Sequence, residues 1–525
     1  MYDYLIKNVQ ILDGTSRPAY RGAVAIQDTR IVQIISGGED LEATEIVDGA
    51  GGFLAPGFID VSNHADTAGS LFREPDMSVL LAQGVTSIIG GNCGTSVAPL
   101  LSTEAIKGLS KWGEGDRLNR NWQSMADFFE NLRLSSRSVN FASLVGYSTI
   151  HRTVVTEERP FTPEEVEQSL SITRDALDQG ALGVSLGLAY SRMNLVSNGE
   201  LRDVANLLCQ KNKLLVVHMR HDGDDVIQAL DECLQLAEQT GVKLHLSHLK
   251  IMGHKNWRFF EELMERLESA EANPKISLSY DVFPYTASNP FLYVMLPSWL
   301  TKHGRQAMLE QLQEQGVRES VIDEMKANGY DYNRIIVSSA ETLPTVVGSN
   351  ILQIAKKQGV GIEEALIYLV RATHGQARVI VQAIHEDHLE RLIVHPGAII
   401  GSDGIGYGQS TIDSRGFDHP RSFGAFPQFL IDYAVSGKLS WEEAISRITS
   451  IPAQRFGLAS RGLIREGLVA DLVLFDPQKL AVPAHYIHPA QLSQGVSDVW
   501  VAGRRVWQDG KAQAEPAGGA VITVH

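Results

Sequence analysis

Three observations place the chain in the α/β class, as a parallel (β/α)8 barrel of the TIM type with a small β-sandwich formed from both chain ends. Eight short apolar runs alternate with helical patterns through the middle of the sequence. Both ends are built from short β-rich runs and hairpin turns. Two consecutive central runs, Leu214-Leu-Val-Val-His218 and Lys243-Leu-His-Leu-Ser-His248, each finish on a histidine. A length of 525 residues suits one large barrel with an accessory domain. With 44% hydrophobic and 21% charged residues the composition is that of a soluble globular protein, and a net charge of −16 argues against nucleic acid or an anionic membrane as partner. The first residues, Met1-Tyr-Asp-Tyr-Leu-Ile, lack a basic start followed by an apolar signal core, and no apolar run is long enough to cross a bilayer; a cytoplasmic protein is expected. Three cysteines make no disulfide framework, and Cys209 and Cys233 fall in helical patterns as small buried hydrophobes.

Residues 1–55 read as the first part of the sandwich, with runs at Leu5-Ile-Lys-Asn-Val-Gln-Ile-Leu, Gly22-Ala-Val-Ala-Ile and Arg30-Ile-Val-Gln-Ile-Ile and turns at Asp13-Gly14 and Gly37-Gly38. Residues 56–455 read as the catalytic barrel. Its strand candidates are 53–60, 85–91, 139–145, 181–188, 214–218, 243–248, 276–283 and 397–402. Between the fifth and sixth, a helical segment from Asp225 closed by Gly241 makes a strand-helix-strand unit. An insertion is expected at about 286–335, where the charged, helix-like segment Gly304–Asn328 would cover the site or pack on the barrel. Arg334-Ile-Ile-Val-Ser and Arg378-Val-Ile-Val-Gln are candidates for extra sheet. Residues 456–525, with Ala470-Asp-Leu-Val-Leu-Phe-Asp and Val496-Ser-Asp-Val-Trp-Val-Ala-Gly, complete the sandwich.

In such a barrel the C-terminal strand ends carry the chemistry. Those tips read Asp60-Val-Ser62-Asn-His64-Ala-Asp66, Gly90-Gly-Asn-Cys93-Gly, Leu188-Ala-Tyr190, His218, His248 with Lys250, Asp281-Val-Phe-Pro-Tyr285 and Ser402-Asp403-Gly404. A thiolate and two imidazoles, Cys93, His218 and His248, make a zinc site with one position left for water. Zinc lowers the pKa of bound water to roughly 7, and Asp403 is placed to take that water's proton and pass it to a leaving nitrogen. Plain alternatives stand beside these: hydrogen-bonded core histidines for His218 and His248, a small residue in a glycine-rich turn for Cys93, a turn residue for Asp403. His64 is open between a weaker or second-metal ligand and a hydrogen-bond partner. His245 reads as structural, and His151, His254, His374, His385 and His388 carry no claim on the site.

The ordered set Pro56-Gly-Phe-Ile-Asp60, Gly91-Asn-Cys-Gly94, Gly180-Ala-Leu-Gly-Val-Ser-Leu-Gly-Leu-Ala-Tyr190, His218-Met-Arg220, Ser247-His-Leu-Lys250, Phe283-Pro-Tyr-Thr-Ala-Ser288, Gly401-Ser-Asp-Gly404 and His419-Pro-Arg421 resembles the N-acyl-D-amino-acid deacylases (D-aminoacylases) of the metal-dependent amidohydrolase superfamily. The likeness runs through nearly the whole chain, and its cysteine motif and Ser-His-x-Lys are the most specific parts. The resemblance implies a distorted TIM barrel beside a β-sandwich, zinc held by Cys93, His218 and His248, catalysis by Asp403, and a substrate α-carboxylate held by Lys250, Tyr285 and Arg421. A cation, a hydroxyl and a forked guanidinium suit a buried carboxylate; surface charge for Lys250 and Arg421 and packing for Tyr285 are the alternatives. Tyr190 matches a family active-site tyrosine able to donate to an oxyanion. Where the family carries His-x-His on its first strand, this chain has Ser62-Asn63-His64. One tight zinc is therefore expected, with a second site weak or absent, because a hydroxyl is a poor zinc donor.

The activity so implied is zinc-dependent hydrolysis of a small N-acyl-D-amino acid to a carboxylate and a free D-amino acid, the D preference resting on the resemblance alone. A cyclic-amide hydrolase of the dihydropyrimidinase or dihydroorotase kind is an alternative, but it uses a strand-four lysine that Gly183-Val-Ser-Leu-Gly-Leu-Ala lacks. A noncatalytic binding protein on a decayed barrel is a third reading, motivated by Ser62 and opposed by the retained acid, ligands and carboxylate-binding set. The apolar stretch Pro290-Phe-Leu-Tyr-Val-Met-Leu suits either the core or a side-chain pocket.

Overall fold

The computed structural model describes residues 1–36, 41–107, 109, 121–190, 192–301, 305–328, 330–412, 418–486 and 488–524. The turn expected at Gly37-Gly38 and the residue Gly304 lie outside them. The chain opens with β1 (Tyr2–Ile11), β2 (Tyr20–Gln27), β3 (Arg30–Ile35), β4 (Ala43–Asp48) and β5 (Phe53–Pro56). β1 pairs antiparallel with β2 and parallel with β4 and β5. The strand expected over 53–60 is two strands, because Gly57 hands the chain from one sheet to another. β5 stays with the chain ends, whereas β6 (Phe58–Asp60) pairs parallel with β7 (Val85–Gly90). A Cβ on Gly57 would sit 2.2 Å from Thr86 Oγ1, so only glycine lets the backbone cross there.

The middle of the chain supplies six further parallel strands: β8 (Asn140–Ser143), β9 (Val145–Gly146), β10 (Gly183–Gly187), β11 (Leu214–His218), β12 (Lys243–Leu246) and β13 (Ser277–Val282). β11 is buried along its whole length, as a sheet covered on both faces requires. The helix Val226–Thr240 buries Val226, Ile227, Leu230, Cys233, Leu234 and Ala237 on one side and stops at Gly241, whose φ of 72° forms the left-handed cap. In the helix Asn198–Gln210 the buried stripe is Leu201, Val204, Ala205, Leu207 and Leu208. Cys209 falls past that stripe and is exposed, which corrects the expectation of a buried thiol there.

After β13 the chain leaves the parallel sheet for a satellite with its own core. β14 (Ala287–Ser288), β15 (Ile335–Ser339) and β16 (Arg378–Gln382) form an antiparallel sheet, and Leu292, Leu300, Met308, Val321, Val337 and Val379 are among the residues of one cluster. The excursion therefore ends at Gln382 and not near 335, because β16 pairs with β15 and shares that core. The charged helix Gln315–Asn328 packs on the helix Ile362–Ala372 of the same satellite.

The chain returns with β17 (Ala398–Ile400), parallel to β13. Two parallel arcs result, β6-β7-β8 and β9-β10-β11-β12-β13-β17. They meet at two seams. At one, the third strand is interrupted by Leu144, whose N–H still bonds Gly90 O at 3.0 Å. At the other, a single parallel bridge between Asn63 and Gly404, with His64 N donating to Gly404 O at 2.9 Å, is supplemented by a side chain: Ser402 N and Oγ donate to the Asp60 carboxylate at 2.9 and 2.5 Å. The order is compatible with an eight-segment barrel distorted at both seams. Last come β18 (Leu472–Phe475), β19 (Val496–Val501), β20 (Arg504–Gln508) and β21 (Lys511–Ala512), which join β5 so that both chain ends share one nine-stranded sheet. Ile6, Val9, Val24, Leu54, Leu472 and Trp500 are buried in its core. Among the described residues no helix is long and apolar enough to cross a membrane.

Candidate active site

Neighbouring strand tips bring the first two histidines together. β11 and β12 pair parallel up to Val217↔Leu246, so His218 ends one strand and His248 follows the other, their rings 4.3 Å apart and edge to face. Cys93 comes from the turn after β7. That turn is held tightly: Gly94 N donates to Ser185 Oγ at 3.0 Å, Ser185 Oγ donates to Gly91 O, and Asn92 Nδ2 donates to Ile89 O at 2.8 Å. Cys93, His248 and Asp403 all have positive φ, at 51°, 39° and 47°, a conformation non-glycine residues adopt at a cost and that surrounding structure must enforce.

The ligand atoms of Cys93, His218 and His248 lie within 4.8 Å of one another, all buried, with Cys93 Sγ 3.5 Å from His248 Nε2. His64, Cys93 and Asp403 form a second such group sharing the thiol. The first set fits a zinc-type metal on two further grounds. Burial, then the Lys250 and His218 charges, push His248 well below its ordinary pKa and keep it neutral, as a ligand must be. His218 Nδ1 is buried with no hydrogen-bond partner among the described residues, which leaves a nitrogen open. The second set is weaker, since His64 Nε2 already faces Asp403 Oδ1 at 3.1 Å. Ser62, where the family pattern has a histidine, is buried with its hydroxyl unpartnered among the described residues.

Burial works to raise the Asp403 carboxyl, yet the Arg421 guanidinium, with His248 and His64, holds it well below the usual carboxylate range. Arg421 Nη1 is 2.8 Å from Asp403 Oδ2, and its guanidinium lies 4.8 Å over the Phe283 ring. Tyr190 packs edge-on to His218 at 5.2 Å. Burial, with Cys93 and Asp403 nearby, raises its phenol well above the ordinary value, so it stays protonated and able to donate.

His218, His248, Lys250, Tyr190, Asp403 and Arg421 line one cavity of about 200 Å³. Its far wall is the satellite, with Phe291, Tyr293 and Leu296, and Arg378 from β16. Tyr285 is not brought there. Its hydroxyl is buried and unpartnered among the described residues, lies 3.3 Å from where a Cβ on Gly424 would be, and its ring is edge-on to His419 at 5.3 Å, so it packs on the helix Arg421–Phe429. The strand signal located Tyr285 but carried no information on which way its ring turns.

Sequence reasoning missed Asp222 and Arg378. Asp222 Oδ2 is 2.9 Å from Lys250 Nζ and 3.5 Å from His218 Nε2. Its signal was a carboxylate four residues beyond a strand-tip histidine. Arg378 opens a strand of the satellite, so nothing local tied it to the barrel mouth. His245 is structural, its two nitrogens on Asp281 at 2.9 Å and Ser279 at 2.7 Å.

The chain is similar to known proteins over nearly its whole length. The model of the Amidohydrolase family matches residues 45–507. The chain is 30% identical to the D-aminoacylase of Alcaligenes xylosoxydans xylosoxydans over 519 residues, covering 98% of this chain and 97% of that one. It is 28% identical to the N-acyl-D-aspartate deacylase of the same organism over 521 residues, 98% of this chain and 94% of the other. A solved N-acyl-D-glutamate deacylase from Bordetella bronchiseptica, complexed with zinc and a phosphonate mimic of the tetrahedral intermediate, matches with a TM-score of 0.84 at 27% identity over 100% of both chains.

Proposed function

The chain belongs to the Amidohydrolase family and is a metal-dependent hydrolase of amides, and from that premise we propose that it cleaves N-acyl-D-amino acids to a carboxylate and a free D-amino acid. Zinc bound by Cys93, His218 and His248 would polarise the amide carbonyl and supply a water that ionises near neutrality. Asp403, kept ionised by Arg421, accepts the attacking water's proton and returns it to the leaving nitrogen. Tyr190 donates its phenol hydrogen to the oxygen that gains charge. Lys250 and Arg421 hold the substrate carboxylate, with Tyr285 packed on the helix that Arg421 opens. One zinc binds tightly; Ser62 is a poor donor and His64 is engaged with Asp403, so a second metal is weak or absent.

The observation that carries this proposal is the convergence of the Cys93 thiol with the His218 and His248 imidazoles, at a cavity lined by His218, His248, the ionised Asp403, Lys250 and Arg421. The test is metal analysis together with amine release from N-acetyl D- and L-amino acids. About one zinc per chain and D-selective release are expected; zinc without release from any member would redirect the assignment to cyclic amides. Phe291, Tyr293 and Leu296 favour an apolar substrate side chain. Arg378 in the same wall favours a second reading, an acidic side chain of the kind named for the N-acyl-D-aspartate relative, so the panel includes both N-acetyl-D-leucine and N-acetyl-D-aspartate.

A further inference from the structure

We infer that Asp222 is a positioning residue through which carboxylate binding at Lys250 and metal retention at His218 reinforce each other, an inference that rests on the deacylase reading above. A single oxygen carries the argument. Asp222 Oδ2 is 2.9 Å from Lys250 Nζ and 3.5 Å from His218 Nε2, so the ammonium and the imidazole share it. The shorter contact is a close ion pair, and the longer one exceeds ordinary hydrogen-bond length. Asp222 is held in place by its own backbone, whose carbonyl accepts from Met252 N at 2.6 Å, two residues past Lys250.

The nitrogens fix the direction of the coupling. Because His218 Nδ1 is the nitrogen without a partner among the described residues, a metal would take Nδ1 and leave the ring hydrogen on Nε2, facing Asp222. Cys93 Sγ faces His248 Nε2, so a metal on that nitrogen leaves the hydrogen on Nδ1. Lys250 Nζ now stands 3.0 Å from that Nδ1, and an ammonium cannot donate to an N–H. With metal bound, Lys250 would therefore lose His248 Nδ1 and keep Asp222 and His248 O, the latter 3.2 Å away. A substrate carboxylate then draws Lys250 off Asp222, and the freed Oδ2 closes on the His218 N–H. A carboxylate accepting that hydrogen raises the ligand basicity of the ring. Carboxylate binding thus tightens the metal, and by linkage the metal tightens carboxylate binding by the same factor.

The experiment measures zinc affinity by competition with a chelating dye. The probe is the ketomethylene analogue of N-acetyl-D-leucine, in which CH2 replaces the amide N–H; its carboxamide, lacking the carboxylate, is the control. In the wild type the carboxylate probe raises zinc affinity by about fivefold or more and the carboxamide does not. Asp222→Asn lowers zinc affinity about 10- to 100-fold and abolishes the difference between the probes, and Asp222→Glu restores part of both. Binding of the carboxylate probe, seen calorimetrically, with no change in zinc affinity overturns the inference and leaves the deacylase reading standing. So does an Asp222→Asn protein that keeps wild-type zinc affinity or full coupling. If zinc-loaded wild type binds neither probe, both the inference and the deacylase reading fail.

Discussion

Arg421 and Asp403 form an ion pair of 2.8 Å at the floor of the cavity, although the residues come from a helix start and a strand tip. The pair makes the acid-base group and the substrate-holding cation electrically dependent on each other. Removing the guanidinium by Arg421→Gln takes away a charge that lowers the Asp403 pKa, so that pKa rises. Because Asp403 must be ionised to accept a proton, the acid limb of the kcat/KM profile is expected to move to higher pH, and KM to rise. An unmoved limb would show that Asp403 does not set it.

Asp403→Asn keeps the shape of the side chain and removes the base. A fall in kcat of about 10²- to 10⁴-fold is expected, with the zinc content unchanged because Asp403 is outside the first ligand set. Metal analysis beside a kinetic assay separates this result from loss of the metal.

Cys93→Ala removes the ligand shared by both candidate groups. The variant is expected to purify with little zinc and to stay inactive when zinc is added. Wild type stripped by a chelator should regain activity on the same addition.

Gly91 holds the turn that delivers Cys93. Its φ is +73°, and a Cβ there would meet Leu144 O at 2.1 Å. Gly91→Ala should lose about 3 kcal/mol in denaturant melts and weaken zinc binding, since the backbone of the third strand has to move.

His151 gives a pH test away from the site. Burial, then Arg192, lowers its pKa from 6.5 to about 3; the ring stacks on Phe161 at 3.9 Å and its Nδ1 accepts from Arg192 at 3.3 Å. The unfolded chain takes up a proton below about 6.5 while the folded one does not. The contribution is therefore complete above pH 6.5 and is lost as pH falls towards 3. Between pH 7 and 5 this group should cost about 2 kcal/mol of stability. His151→Asn should flatten that part of the pH dependence in chemical denaturation.

Most of the barrel was readable because its strands are uninterrupted apolar runs with chemistry at one end, so Cys93, His218, His248 and Asp403 could be found by taking the last residues of each run. What failed depended on three-dimensional choices. The run 53–60 is continuously β-like, and only the Thr86 side chain pressing on Gly57 shows where it breaks. Arg378-Val-Ile-Val-Gln looked like a strand, but its partner was set by burial in the satellite core with Val337. Tyr285 sits at the expected strand end with its ring turned towards His419. Asp222 was passed over because its partners, Lys250 and His218, are neighbours only after two parallel strands have paired.

The pairing of β5 with β18 bears on the order in which the molecule can be made. Pro56 and Leu472 are partners in that ladder, and 416 residues separate them (472 − 56). At a synthesis rate of about 5 to 20 residues per second, the first strands wait roughly 20 to 80 s for their partner to leave the ribosome. Throughout that interval β5 presents an unpaired edge to every other nascent chain. A ribosome that stalls before Leu472 leaves that edge open, so incomplete chains of this protein should be the aggregating species in a cell, and finished ones should not.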